Sequence, residues 1–264
     1  GQRVCPLRRP PAGLQRRMVH SWIRIRPKRS TVTTAGQAPL DQLFMTLPDE
    51  KRFASICFAL CVVLNLWFSA TGWNHTLLES HEFRQTQTAI SARAIQQDGW
   101  QLAYPLPLFG PPWSAPFEFP FYQILVAQLG SLGGLPLEQS GRAVALLFLY
   151  LALPALYLLQ EFLPIPRSRW FLLPSLVLVS PVYLYYSRSF MIESVALCAA
   201  AWFLFAYARA LTRPTWAGGL VTALLGVLAG LAKSTTFAVF LLAAGLLTFA
   251  GLRRSINAGP KHLL

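Results

Sequence analysis

The sequence predicts an all-α integral membrane protein. About six transmembrane helices are expected, with a long first outer loop that carries surface-lying juxtamembrane helices. Three observations predict this class. First, 12% of the 264 residues are charged and 54% are hydrophobic, whereas a soluble domain carries roughly twice that charged share. Second, the charges are segregated. Phe53–Ala70, Ala143–Gln160, Trp170–Ser187, Ser194–Ala208, Thr215–Ala232 and Ser234–Leu252 contain none. Each run approaches the ~20 residues that cross ~30 Å of hydrocarbon at about 1.5 Å per residue. Third, the basic residues fall on one side of such a topology, as membrane insertion demands.

Taken in chain order, residues 1–48 come first. Nine basic residues and no acid lie within 1–30, among them Arg3, Arg8, Arg16 and Lys28. Such a segment cannot build a core, and a disordered cytoplasmic arm is expected. The chain starts with Gly, and Met45 precedes "TLPDEKRF" and an apolar run. Residues 1–44 are therefore expected to be a flexible arm or translated upstream sequence, with an Arg-rich transit peptide as the alternative. A transmembrane domain follows over 49–252, and 253–264 is read as a cytoplasmic tail or truncation point.

The first outer loop spans 72–141 and holds Trp73, Trp100 and Trp113. One apolar stretch within it, Phe119–Leu135, is a further candidate span. Counting it as a span would put Arg167, Arg169, Arg253 and Arg254 outside, opposite the basic N-terminus. Laying it along the outer surface leaves 18 basic residues inside and 5 outside. The positive-inside rule selects the second arrangement, six crossings with both ends cytoplasmic. The two glutamines and the "GSLGG" of Phe119–Leu135 also suit an interfacial helix.

The net charge of +13 would suggest nucleic acid for a soluble chain. Its position on the N-terminal arm and the inner loops explains it without such a partner, so no nucleic-acid partner is expected. Cys57 and Cys61 read as small apolar helix residues. No CxxC occurs, so neither a zinc site nor a disulfide framework is indicated. "GVLAGLA" reads as a small-residue face for close helix packing.

The ionisable residues left outside cluster in four places. "LLESHEFRQTQTAISARAI" packs Glu79, His81, Glu82, Arg84 and Arg93 together, and its second half reads as a helix with Arg84 and Gln87 or Thr88 on one side. "PPWSAPFEFPFYQ" sets Glu118 among aromatics and prolines. "YYSRSFMIES" carries Arg188 and Glu193, and "LAGLAKSTTF" carries Lys233. Charges beside a bilayer are costly to desolvate and mark functional sites. Carboxylates at such a site can hold a divalent cation or act as a base, and Arg and Lys can bind phosphate. The combination suits a lipid phosphate as ligand.

These motifs, in this order, resemble the GT-C superfamily of membrane glycosyltransferases, and most closely the family of protein O-mannosyltransferases and the lipid A aminoarabinose transferase. The resemblance covers about residues 53–252. "HEFRQTQTAISARAI" is similar to the family's first motif at Glu82, Arg84, Ala92 and Arg93. "APFEFPFYQ" matches the second at Phe117, Glu118 and Pro120. "SRSFMIES" offers Arg188 and Glu193 for the third, and "GVLAGLAKS" gives Lys233 for the fourth. Two positions depart from the pattern. The family's leading catalytic Asp falls on His81, with Glu79 or Glu82 in a position to replace it, and the phosphate-contacting Lys of the second motif is Phe119.

The resemblance implies transfer of a sugar from a polyprenyl-phosphate-linked donor to an acceptor glycan, lipid or protein on the outer, periplasmic face of a bacterial inner (plasma) membrane. It implies Glu79, Glu82 and His81 as catalytic residues and Arg84, Arg93, Arg188 and Lys233 as phosphate-binding residues. Glu118 and Glu193 would hold a divalent ion, Mg, Mn or Zn, where one is used. The alternatives are a membrane transporter or flippase of a lipid-linked or anionic substrate, or an inactive fragment, since members of the family are typically longer.

Overall fold

In the computed structural model, residues 50–78, 80–100, 118–163 and 165–257 are described, side chains to Arg253. The expected arm, Glu79 and the end of the expected tail lie outside the described residues. Every regular element among the described residues is helical: α1 Glu50–Thr71, α2 Glu82–Asp98, α3 Phe121–Gly133, α4 Leu137–Leu159, α5 Leu172–Val179, α6 Pro181–Tyr186, α7 Glu193–Thr212, α8 Trp216–Ala232 and α9 Ser234–Asn257, with short 3-10 turns at Gln160–Phe162 and Arg167–Arg169.

Four of these helices are long and apolar enough to cross a membrane: α1, α4 with its 3-10 extension, α7 and α9. Their outward faces argue for lipid. Phe53, Leu60, Val63 and Trp67 on α1 are exposed, as are Leu220, Leu224 and Val227 on α8 and Val239, Leu242, Leu246 and Phe249 on α9. Such continuous apolar faces would be a liability in water. In a bilayer they meet a solvent of their own kind.

α7 is the central helix and packs on α4, α8 and α9. Its alanines permit close approach. Ala199 and Ala200 meet Ala229 of α8, and Ala201 meets Ala155 of α4. The expected small-residue face on α8 is confirmed: a methyl group on Gly226 would stand 3.3 Å from the Phe203 ring, tight enough that the ring would have to shift. In membranes such small residues let dispersion replace the missing hydrophobic drive.

The contacts fix the direction of each helix. α1 and the α5–α6 segment run parallel. Glu50 pairs with Arg169 at one end, Phe58 meets Phe171, Asn65 reaches Leu178, and Ser69 bonds Ser187 at the other end. α4 and α7 run parallel, from Val144 and Val195 to Leu159 and Leu204. α8 returns against α7, and α9 follows α7 again, with Tyr207 bonded to Thr248. The bundle therefore has a Glu50 end and a Glu193 end.

Two elements differ from the sequence reading. The expected span 170–187 is two helices broken at Ser180. Pro181 disfavours the helical region for the residue before it, and Ser180 sits at φ −59°, ψ 127°. Asn65, fully buried, donates its amide to the Leu178 carbonyl at 3.2 Å and accepts from the Tyr150 hydroxyl. One carbonyl beside the break thereby has a side-chain partner, as buried backbone in a membrane requires.

The second difference is α2, which is more buried than a surface-lying helix. It inserts Gln85, Gln87, Thr88 and Ser91 into the protein and is held largely by hydrogen bonds. Gln85 donates to the Ser80 carbonyl and the Tyr185 hydroxyl and accepts from the Phe190 amide at 3.0 Å. α3 has 13 residues, about 20 Å at 1.5 Å each, which is too short to cross. It packs on α2 and α4 at the Glu193 end, where the Tyr122 hydroxyl donates to the Gly141 carbonyl at 2.9 Å.

Candidate functional site

The Glu193 end collects the charges that the sequence reading singled out. A core of Ala89, Ala92, Tyr122, Val126, Val144, Phe190 and Val195 ties α2, α3, α4 and α7 together there. Two ion pairs flank this core. Arg84, in the first turn of α2, donates from Nη2 to Glu118 Oε1 at 2.8 Å and from Nη1 to Gln87 at 3.3 Å. The expected alignment of Arg84 with Gln87 is the i,i+3 geometry of a helix face. Lys233 caps α8 and donates to Glu193 Oε1 at 2.6 Å.

Glu193 opens α7, where the positive end of the helix dipole favours a carboxylate. Its side chain is only 10% exposed. Its second oxygen, Oε2, has no hydrogen-bond partner among the described residues, and neither has the hydroxyl of the adjacent Ser194. Burial holds the Tyr122 phenol well above its usual range. The Glu193 carboxylate adds to that rise, and Arg142 opposes it. No hydrogen bond joins the two ion pairs among the described residues.

The other expected site residues divide. His81 precedes α2 in a left-handed conformation, φ 63°, and its ring lies 5.5 Å from that of Tyr185. Glu82 is exposed at the start of α2 and makes no polar side-chain contact among the described residues. Glu79 lies outside the described residues. Arg93 is exposed near the far end of α2, and nothing brings it to either ion pair. Arg188 packs its aliphatic stem against Gly72, where a methyl group would stand 2.8 Å from its Cδ. Its guanidinium has no acid partner among the described residues.

Sequence reasoning passed over Arg142. It is 2% exposed and donates to the carbonyls of Arg188 at 3.0 Å, Trp73 at 2.8 Å, Thr76 at 3.4 Å and His75. A guanidinium has five N–H donors in a planar fork, and here that fork fastens the segment after α1 to the loop before α7. The available signal was a lone cation in the second turn of α4, just before its uncharged run from Ala143.

The residues expected to hold a divalent ion do not form a donor set. Glu118 and Glu193 are each neutralised by a different cation, and no group of three His, Cys, Asp or Glu that could hold a metal occurs among the described residues. A cation site needs several converging oxygens, so no step is assigned to a metal.

The chain has the fold of an all-α bundle with four helices able to cross a membrane and a charged site at one end. No protein-family model, no curated protein and no solved structure matches it.

Proposed function

We propose that this chain is a membrane glycosyltransferase that moves a sugar from a polyprenyl-phosphate-linked donor to an acceptor hydroxyl. The chain would cross six times, using α5–α6 and α8 as well as the four long helices, with the Glu193 end on the outer face. The observation that carries the reading is Arg188. It is a cation without an acid partner among the described residues, held by Gly72 and Arg142 at the end where both ion pairs lie and where the apolar helices would meet headgroups.

In this reading Arg188 binds the donor phosphate, and Arg84 and Lys233 reinforce it by releasing part of their hold on Glu118 and Glu193. Stabilising the leaving phosphate is the electrostatic contribution that usually dominates such catalysis. A carboxylate, Glu79 or Glu82, takes the acceptor proton. The acceptor oxygen then bonds to the anomeric carbon while the bond to the phosphate oxygen breaks, and the phosphate leaves with that electron pair.

One feature favours a second reading, a transporter or flippase. Discontinuous helices such as α5–α6 form substrate sites in transporters. Here the carbonyl before the break is capped by Asn65 rather than facing a cavity, which favours the transferase.

The test is the full-length protein in liposomes with a radiolabelled polyprenyl-phosphate hexose. Glu79→Gln or Glu82→Gln is expected to lower transfer by about 10²–10⁴, the usual cost of losing a general base, with unchanged insertion. Full transfer by both variants would remove them as bases. Movement of the labelled lipid across the bilayer with no transfer would favour the flippase.

A further inference from the structure

Two open clefts meet at Trp73, near the Glu193 end. The more polar of the two, a cleft of about 420 Å³, is lined by Trp73, Asn74, Leu77, Leu78, Glu138 and Gln139, its walls apolar with polar groups set among them. On the other side of Trp73, an apolar cleft of about 360 Å³ runs between α1 and α4, lined by Leu66, Ala143, Leu146, Leu147 and Tyr150. Leu66 and Leu147 are exposed, so this cleft opens onto the surface that the apolar helices would turn to lipid.

We infer that the two clefts are one binding site for an amphiphile. Its hydrocarbon chain lies along Leu66, Ala143 and Leu147, and its uncharged, hydroxyl-rich headgroup, a sugar or polyol, rests against Trp73. Continuity is the first reason. Trp73 lines both clefts, and indoles settle where apolar and wet regions meet. A sugar ring has an apolar C–H face that suits the face of an indole.

Charge is the second reason. Arg142 also lines the larger cleft, but it is buried and its donors are engaged by the four carbonyls already named. The exposed charge that remains is the Glu138 carboxylate, which forms no ion pair among the described residues. A phosphate headgroup would meet a like charge there. Hydroxyl groups would instead find acceptors and a donor. Gln139 donates to the Asn74 side-chain oxygen at 3.2 Å, which leaves the Gln139 carbonyl to accept and the Asn74 amide to donate. This site goes beyond sugar transfer and would stand if that reaction did not occur.

The experiment uses the full chain in detergent, incubated with equal amounts of monoglucosyldiacylglycerol and phosphatidylglycerol of matched acyl chains. Retained lipid is measured by native mass spectrometry. The glucolipid is expected to be retained at least about fivefold over phosphatidylglycerol, a difference of roughly 1 kcal/mol. Glu138→Lys should abolish or invert that preference. Ala143→Phe should fill the apolar cleft and reduce retention of both lipids. Leu147→Lys changes an exposed side chain and should do the same without touching the core, so it decides the matter if Ala143→Phe does not fold. Equal retention of the two lipids by the unmodified chain would overturn the headgroup assignment. Undiminished glucolipid retention by folded Leu147→Lys would overturn the chain site.

Discussion

Arg142→Met tests whether one buried cation holds the Glu193 end together. Methionine is nearly as long as arginine and apolar, so it keeps much of the packing and removes every donor. Four carbonyls then lose a partner. Those of His75 and Thr76 belong to exposed residues and can turn to water. Those of Trp73 and Arg188, bonded at 2.8 and 3.0 Å, are the costly ones. An unsatisfied buried acceptor costs about 1–3 kcal/mol, and two of them, less a small gain from the thioether, give roughly 2–4 kcal/mol. For a protein of this size each kcal/mol moves the midpoint by about 2–4 °C, so a fall of about 4–16 °C follows. The measurement is thermal unfolding of the full chain in detergent at one fixed scan rate, with limited proteolysis of residues 72–78 beside it. Arg142→Lys keeps the charge but loses the planar fork and should fall between the two. A shift under about 2 °C for Arg142→Met, with no new cleavage, would show that the four bonds are incidental.

Two further outcomes follow from packing and charge. Lys233→Met should leave Glu193 buried with neither oxygen partnered and cost about 3–5 kcal/mol. Adding Glu193→Gln should recover at least half of the loss in the same unfolding assay, and a strictly additive double variant would deny the coupling. Gly141→Ala would drive a methyl group into the Phe190 ring and should destabilise by about 1–3 kcal/mol, whereas Gly219→Ala, which meets open space, should be neutral in the melting curve.

Much of the fold was legible in the sequence. Apolar runs without charge are long enough for helices whatever their neighbours, because in lipid a helix satisfies its own backbone. That reasoning located α1, α4, α7, α8 and α9, and the i,i+3 spacing placed Arg84 beside Gln87. The break at Ser180 was also written locally, in Pro181, but a count of apolar residues ignores where the chain bends. The sequence gathered the charges on four short segments without saying which would meet. Only the packing of α2 and α3 against α4 brought Arg84 to Glu118, 34 residues away, and only the antiparallel return of α8 along α7 brought Lys233 to Glu193. Arg142 shows the limit most plainly. As a letter it is one more outer cation. Its role depends on four carbonyls from segments 46–69 residues away, and main-chain acceptors are the same in every residue, so nothing in a sequence can announce them.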